Sequence, residues 1–288
     1  MFKLPIPNIL YSEVLDACIA GITGNPILKG KLTSDKNDLL NKAIDYDTFT
    51  PLAQLHRIHP VTASNTKITT NLTKEDLKKL YTQYFTPADK PAGVVYDRLR
   101  MICKDECPFC AGIGTPENLD HFLAKSKFPQ FSVFPNNLVP SCRDCNMGEK
   151  GQTHPSNPNE QYLHPFLDDD IFYNEQWVFA TYHPPYQASA AIEFFTNPPL
   201  KWQNFQRARA CKHFIDFNIK ARYAKLAANE LVSTLDQMRK LLKLGFSAKV
   251  VTETICEPIY NHSKGPNHWR TVMYMALEDH LIVNGSLD

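Results

Sequence analysis

Cys107-Pro-Phe-Cys110, Leu119-Asp120-His121, Asn137-Leu138-Val139-Pro140 and Cys142-Arg-Asp-Cys145-Asn146 follow one another between positions 107 and 146 of a 288-residue chain. Each Cys-x-x-Cys pair aims two thiolates at one point, so two pairs supply a complete tetrahedral shell for one Zn2+ from Cys107, Cys110, Cys142 and Cys145. Such a shell is closed and leaves no position for substrate, which makes the zinc a structural clamp. The 31 residues between Cys110 and Cys142 are enough for one β-hairpin carrying a long loop.

The enclosed polar residues carry the chemistry. A histidine near neutral pKa takes a proton from water, and an adjacent carboxylate holds a hard divalent cation, which gives His121 and Asp120 their candidate roles. Neighbours on a regular strand point to opposite faces, so both reach one site only where the strand twists or ends. Asn137 opens the expected return strand, and its carboxamide can bond the backbone of loop 122–136 and fix the histidine, with Asn136 as the competitor for that role. Asn146 follows the second pair at the start of a short helix, either as a neutral oxygen ligand to metal or as a helix cap.

Together with Lys150-Gly151, these motifs resemble the HNH, or ββα-metal, nuclease family over about 45 residues. The resemblance implies that His121 is the general base, that Asp120 and Asn146 hold one catalytic Mg2+ or Mn2+, and that Asn137 orients the loop. Asn146 stands where the family's eponymous last histidine would be. Lys125, Lys127, Arg143 and Lys150 are close enough in sequence to contact phosphates, or to be simply solvated. A looser likeness takes in Ile9-Leu10-Tyr11, the loop from Lys125 to Val133, Leu163-His164-Pro165, Gln176-Trp177 and His213-Phe214. These are similar to the HNH effectors of bacterial anti-phage systems, notably the Septu type called PtuB. That likeness implies an ABC- or SMC-like ATPase partner and DNA or RNA, including tRNA, as substrate.

Outside the module the chain reads as helix. Apolar spacing over 11–56, broken at Gly24-Asn25-Pro26, predicts two helices; Thr73 caps another, ended by Pro87 and Pro91; 93–106 forms a short one. Gly151 to Pro158 reads as an exposed loop. Trp177–Tyr182 and Ala191–Phe195 predict a hairpin, and 201–244 a long helical stretch stopping at Gly245. In that stretch ten Lys and Arg, among them Arg209, Lys212, Lys220 and Arg239, face three acids, a local excess of +7. A phosphate backbone can lie along such a face, or the face is merely solvated. His164 either folds back toward the metal or packs between domains.

The expected fold is therefore mainly α, with an inserted zinc-stapled ββα-metal (HNH) module and a small additional β-hairpin. Its regions are 1–102 (helical), 103–166 (the module with its four-cysteine zinc site) and 167–288 (hairpin and helices). A net charge of +1 says nothing of partners, and no apolar run approaches the roughly 20 residues of a membrane span. Without a recognisable signal the chain is placed in the cytoplasm, where eight cysteines point to metal and packing instead of disulfides. Cys18, Cys103, Cys211 and Cys256 then read as packing residues, with Cys103 near enough to be a misassigned ligand. The contrasting function is a non-catalytic zinc-knuckle module that binds nucleic acid or protein; it would need none of Asp120, His121 and Asn146.

Overall fold

A computed structural model describes residues 1–150, 154–184 and 191–288. Its contacts divide the chain into two compact units, Lys3–Asp168 and Asp169–Asp288 with Met1–Phe2. Where the sequence suggests a separate helical region before position 103, those helices and the cysteine module share one unit. Among the described residues about half are helical, with two small antiparallel hairpins.

In the first unit α1 (Tyr11–Gly21) buries Val14, Leu15 and Cys18, spaced to line one face. The Asn25 side chain accepts from the Leu28 amide at 3.0 Å and, with Pro26 at the first helical position, starts α2 (Pro26–Ser34). The single helix expected beyond Pro26 is two, because the chain breaks at Asp35 before α3 (Lys36–Phe49). The Asp35 carboxylate accepts from Thr69 Oγ1, the Asn71 amide, Asn71 Nδ2 and the Leu72 amide, tying this corner to loop 69–72. Burial alone would raise its pKa, but those four donors hold it below the usual carboxylate range.

Thr73 and Asp76 form a capping box that begins α4 (Lys74–Lys79), which continues as a wide π-type turn, Leu80–Phe85. α5 (Gly93–Met101) follows after Pro87 and Pro91. Gly93 is required there: a Cβ would lie 2.5 Å from the Pro87 carbonyl oxygen. The helix stops short of the expected position 106 because Lys104 and Asp105 adopt positive φ (50° and 63°) and swing the chain toward Cys107. β1 (Asn118–His121) and β2 (Leu138–Ser141) then pair antiparallel, with Asp120 opposite Val139 and His121 opposite Leu138. Tyr46 packs edge-on against Phe131 and Phe134 of the intervening loop, and Ser132 donates to the Leu77 carbonyl at 3.0 Å, so helices and module share one core.

The second unit opens with α6 (Ile171–Asn174) and a hairpin of β3 (Val178–Tyr182) and β4 (Ile192–Thr196). The hairpin's connecting loop falls largely on 185–190, and the exposed loop read at Gly151 begins on 151–153; both stretches lie outside the described residues. The long helix expected over 201–244 is two, α7 (Asn204–Asp216) and α8 (Ile219–Lys243), hinged where Asn218 turns left-handed at φ 50°. Three helices not anticipated from sequence complete the unit: α9 (Ala248–Ile255), α10 (Glu257–Asn261) and α11 (Trp269–Asn284), the last lying on β3. Buried Asn267 accepts from the Trp177 and Val178 amides (2.8 and 2.9 Å) and donates to the Glu175 carbonyl (2.8 Å), pinning the start of β3.

The basic face read over 201–244 is interrupted. Lys201 pairs with Glu175, Lys212 with Asp216, Lys220 with Glu193 and Arg239 with Asp288. Arg209 is buried, its guanidinium 5.2 Å from the Phe172 ring centroid. Among the described residues no helix is long and apolar enough to cross a membrane.

Candidate active site

The two Cys-x-x-Cys turns converge below the hairpin. Ala111 and Gly112, both at positive φ (55° and 78°), fold the chain back after Cys110, with the Gly112 amide on the Cys107 carbonyl at 2.9 Å and the Cys107 amide on the Gly114 carbonyl at 3.1 Å. The second turn ends with the Asn146 amide on the Cys142 carbonyl at 3.0 Å. All four sulfurs are buried and lie within 4.8 Å of one another, so Cys107, Cys110, Cys142 and Cys145 can hold a zinc ion. Cys110 Sγ and Cys142 Sγ are 3.9 Å apart, close to the ~3.8 Å edge of a tetrahedron with zinc–sulfur bonds of about 2.3 Å. Hydrogen bonding among the thiols pushes Cys107 and Cys145 upward while lowering Cys142 and bringing Cys110 to about 7. A dication among the sulfurs would favour the thiolate form of all four. Cys103 is not part of it; its thiol donates to the Arg100 carbonyl at 3.2 Å.

His121 closes β1 and is 8% exposed. Its Nε2 lies 2.9 Å from the Ser132 carbonyl oxygen, which can only accept, so the proton sits on Nε2 and the lone pair on Nδ1. Burial, assisted by Lys125, lowers its pKa to about 3 against the opposing Ser132 bond, so the ring is neutral at ordinary pH, and its pKa lies well below the near-neutral value expected from the sequence. The Tyr81 ring meets it edge-on at 4.5 Å, and Lys125 Nζ lies 4.0 Å over the same tyrosine.

Asn137 is wholly buried. Its Oδ1 accepts from the Leu123 amide at 2.7 Å, and its Nδ2 donates to the Leu123 and Phe131 carbonyls, both at 3.1 Å. It thereby closes the loop that carries the Ser132 carbonyl to His121. Asn136, the competitor, turns outward to Asp47 at 2.8 Å.

Asp120 lies beneath the surface and pairs with Lys150 at 2.8 Å. Burial raises its carboxyl pKa, and the ammonium opposes the rise. Lys150 also donates to the His121 carbonyl at 2.7 Å and is 1% exposed, so the lysine read as an outward phosphate contact is instead an interior partner of Asp120 and of the His121 backbone. Asn146 is half-buried on the same π-type segment, Asp144–Lys150, about one turn before Lys150. Arg143 is exposed, and Lys127 reaches His154 Nδ1 at 3.4 Å. His164 is buried within the first unit, its Nε2 3.1 Å from the Tyr46 hydroxyl and its Nδ1 accepting from the Phe166 amide at 3.3 Å, which makes it a packing residue inside one unit.

The contacts that sequence reading missed are Tyr81, the Ser132 carbonyl and the inward course of Lys150. Tyr81 is legible only as one more aromatic on a helix, and a backbone carbonyl leaves no residue-type signal.

No protein-family model matches the chain, and no solved structure matches it. It is 36% identical over 290 residues to Protein ea31 of Escherichia phage lambda, an alignment covering 96% of this chain and 97% of that protein. At that identity over nearly the full length of both, the chain belongs to the family of the phage lambda Ea31 protein.

Proposed function

We propose that the chain is a metal-dependent endonuclease of the HNH type that hydrolyses phosphodiester bonds in DNA or RNA. The observation that carries this reading is the buried His121, fixed through Nε2 by the Ser132 carbonyl and next in sequence to Asp120 on a hairpin framed by four thiols. A zinc-knuckle module that only binds needs none of Asp120, His121 and Asn146 together.

His121 Nδ1 takes a proton from water as the water oxygen attacks phosphorus. The phosphorus bond to the 3′ oxygen then breaks in line, and the departing oxygen collects a proton from solvent. Asn137 keeps the Ser132 carbonyl in place, so the histidine does not reorient during the transfer. Asp120 and Asn146 offer oxygen donors of the class that Mg2+ or Mn2+ prefers, and such an ion when bound supplies charge stabilisation at the scissile phosphate and leaving oxygen. Lys125, beside the histidine, and exposed Arg143 are the phosphate contacts this reading retains.

The proposal extends to an effector role in anti-phage defence with an ABC- or SMC-like ATPase partner, in the cytoplasm, on the looser likeness to Septu effectors. Purified protein is incubated with plasmid, total RNA and tRNA in the presence of Mg2+ or Mn2+, then with chelator, alone and with any ATPase that co-purifies. Metal-dependent cuts absent from His121→Ala support the reading. Equal cutting by that variant, folded and zinc-loaded, sinks it.

A further inference from the structure

The candidate metal site already contains a cation. Lys150 Nζ lies 2.8 Å from Asp120 Oδ2 and donates to the His121 carbonyl at 2.7 Å, with its side chain 1% exposed. An ammonium leaves water only for an anion and further acceptors, and Asp120 with the His121 carbonyl supplies both. Among the described residues no group of three or more His, Cys, Asp or Glu, apart from the four thiols, is placed to hold a metal ion. Asp120 and Lys150 meet directly, and the two charges of the pair cancel. A divalent ion at the same carboxylate would set two positive charges against the ammonium in an interior where screening is weak.

We propose that Lys150 and a divalent cation are mutually exclusive partners of Asp120. In the metal-free protein the ammonium neutralises the carboxylate and keeps it in place. Binding of Mg2+ or Mn2+ requires Lys150 to leave, so Lys150 sets the metal affinity of the site and acts as a positioning residue through Asp120. This rests on reading Asp120 as a ligand of the catalytic metal.

The test is Mn2+ binding to the full-length, zinc-loaded protein, followed by electron paramagnetic resonance without nucleic acid. Lys150→Met is expected to bind Mn2+ at least tenfold more tightly than wild type, Lys150→Arg no more tightly, and Asp120→Asn combined with Lys150→Met to lose the gain. A Lys150→Met protein with wild-type zinc content and circular dichroism that binds Mn2+ equally or more weakly overturns the proposal. Should that variant not fold, amine-reactive labelling of the wild type decides: Lys150 is expected to be labelled several-fold faster with Mn2+ than without, and unchanged labelling overturns the exclusion. Cleavage is scored separately. Metal-dependent cutting by wild type without the affinity gain removes this inference alone, whereas an Asp120-dependent gain in a protein that never cuts supports it and removes the nuclease reading.

Discussion

His121 Nε2 stands 2.9 Å from the backbone carbonyl oxygen of Ser132. Because the acceptor is backbone, the tautomer is set by the loop's path and not by the identity of residue 132. His121→Ala is expected to lower single-turnover cleavage by about 10²-fold or more, the usual contribution of a general base, without loss of zinc. Rates on plasmid and RNA, with zinc content measured on the same preparations, check this.

Asn137→Ala removes three buried hydrogen bonds to the loop. At about 1 kcal/mol each, the first unit should lose on the order of 3 kcal/mol in a denaturant titration. Cleavage should fall in kcat more than in KM, since Asn137 holds the loop and not substrate.

Cys142→Ser should abolish zinc retention, whereas Cys103→Ser should keep about one zinc per chain. Elemental analysis separates the two. Chelation should open the module as well, since a two-stranded hairpin of four-residue strands has little stability of its own.

His268 caps α11, its Nδ1 accepting from the Arg270 amide at 3.3 Å. Burial, with help from the N-terminal amine, lowers its pKa to about 3. The folded value lies below the unfolded value of about 6.5, so the unfolded state binds the extra proton. The stability contributed by neutral His268 is present above pH ~6.5 and is lost as pH falls toward 3. Thermal melts between about pH 7 and pH 4 should show a steeper decline for wild type than for His268→Asn, which keeps a capping side chain without the proton.

The module is readable in the chain because cysteine spacing and strand-turn chemistry are local. Thr73 likewise announces its helix, and β3 and β4 their pairing, through near-neighbour signals. The break at Asp35 is hidden because its cause is a loop 34 to 37 residues away. The hinge at Asn218 is hidden by apolar spacing that continues through it. Lys150 illustrates the same limit within the site: a lysine beside a phosphate motif suggests an outward cation, and only the fold reveals the carboxylate that draws it inward.

The ion pairs of the second unit bear on how the protein would respond to salt. A lysine matched to a carboxylate must forfeit that match before it can neutralise a phosphate and release the counterions condensed on the nucleic acid. Lys201, Lys212, Lys220 and Arg239 are in this position, and Arg209 is buried under Phe172. They add little to the slope of log affinity against log salt concentration, so ionic strength would report chiefly on cations elsewhere in the chain.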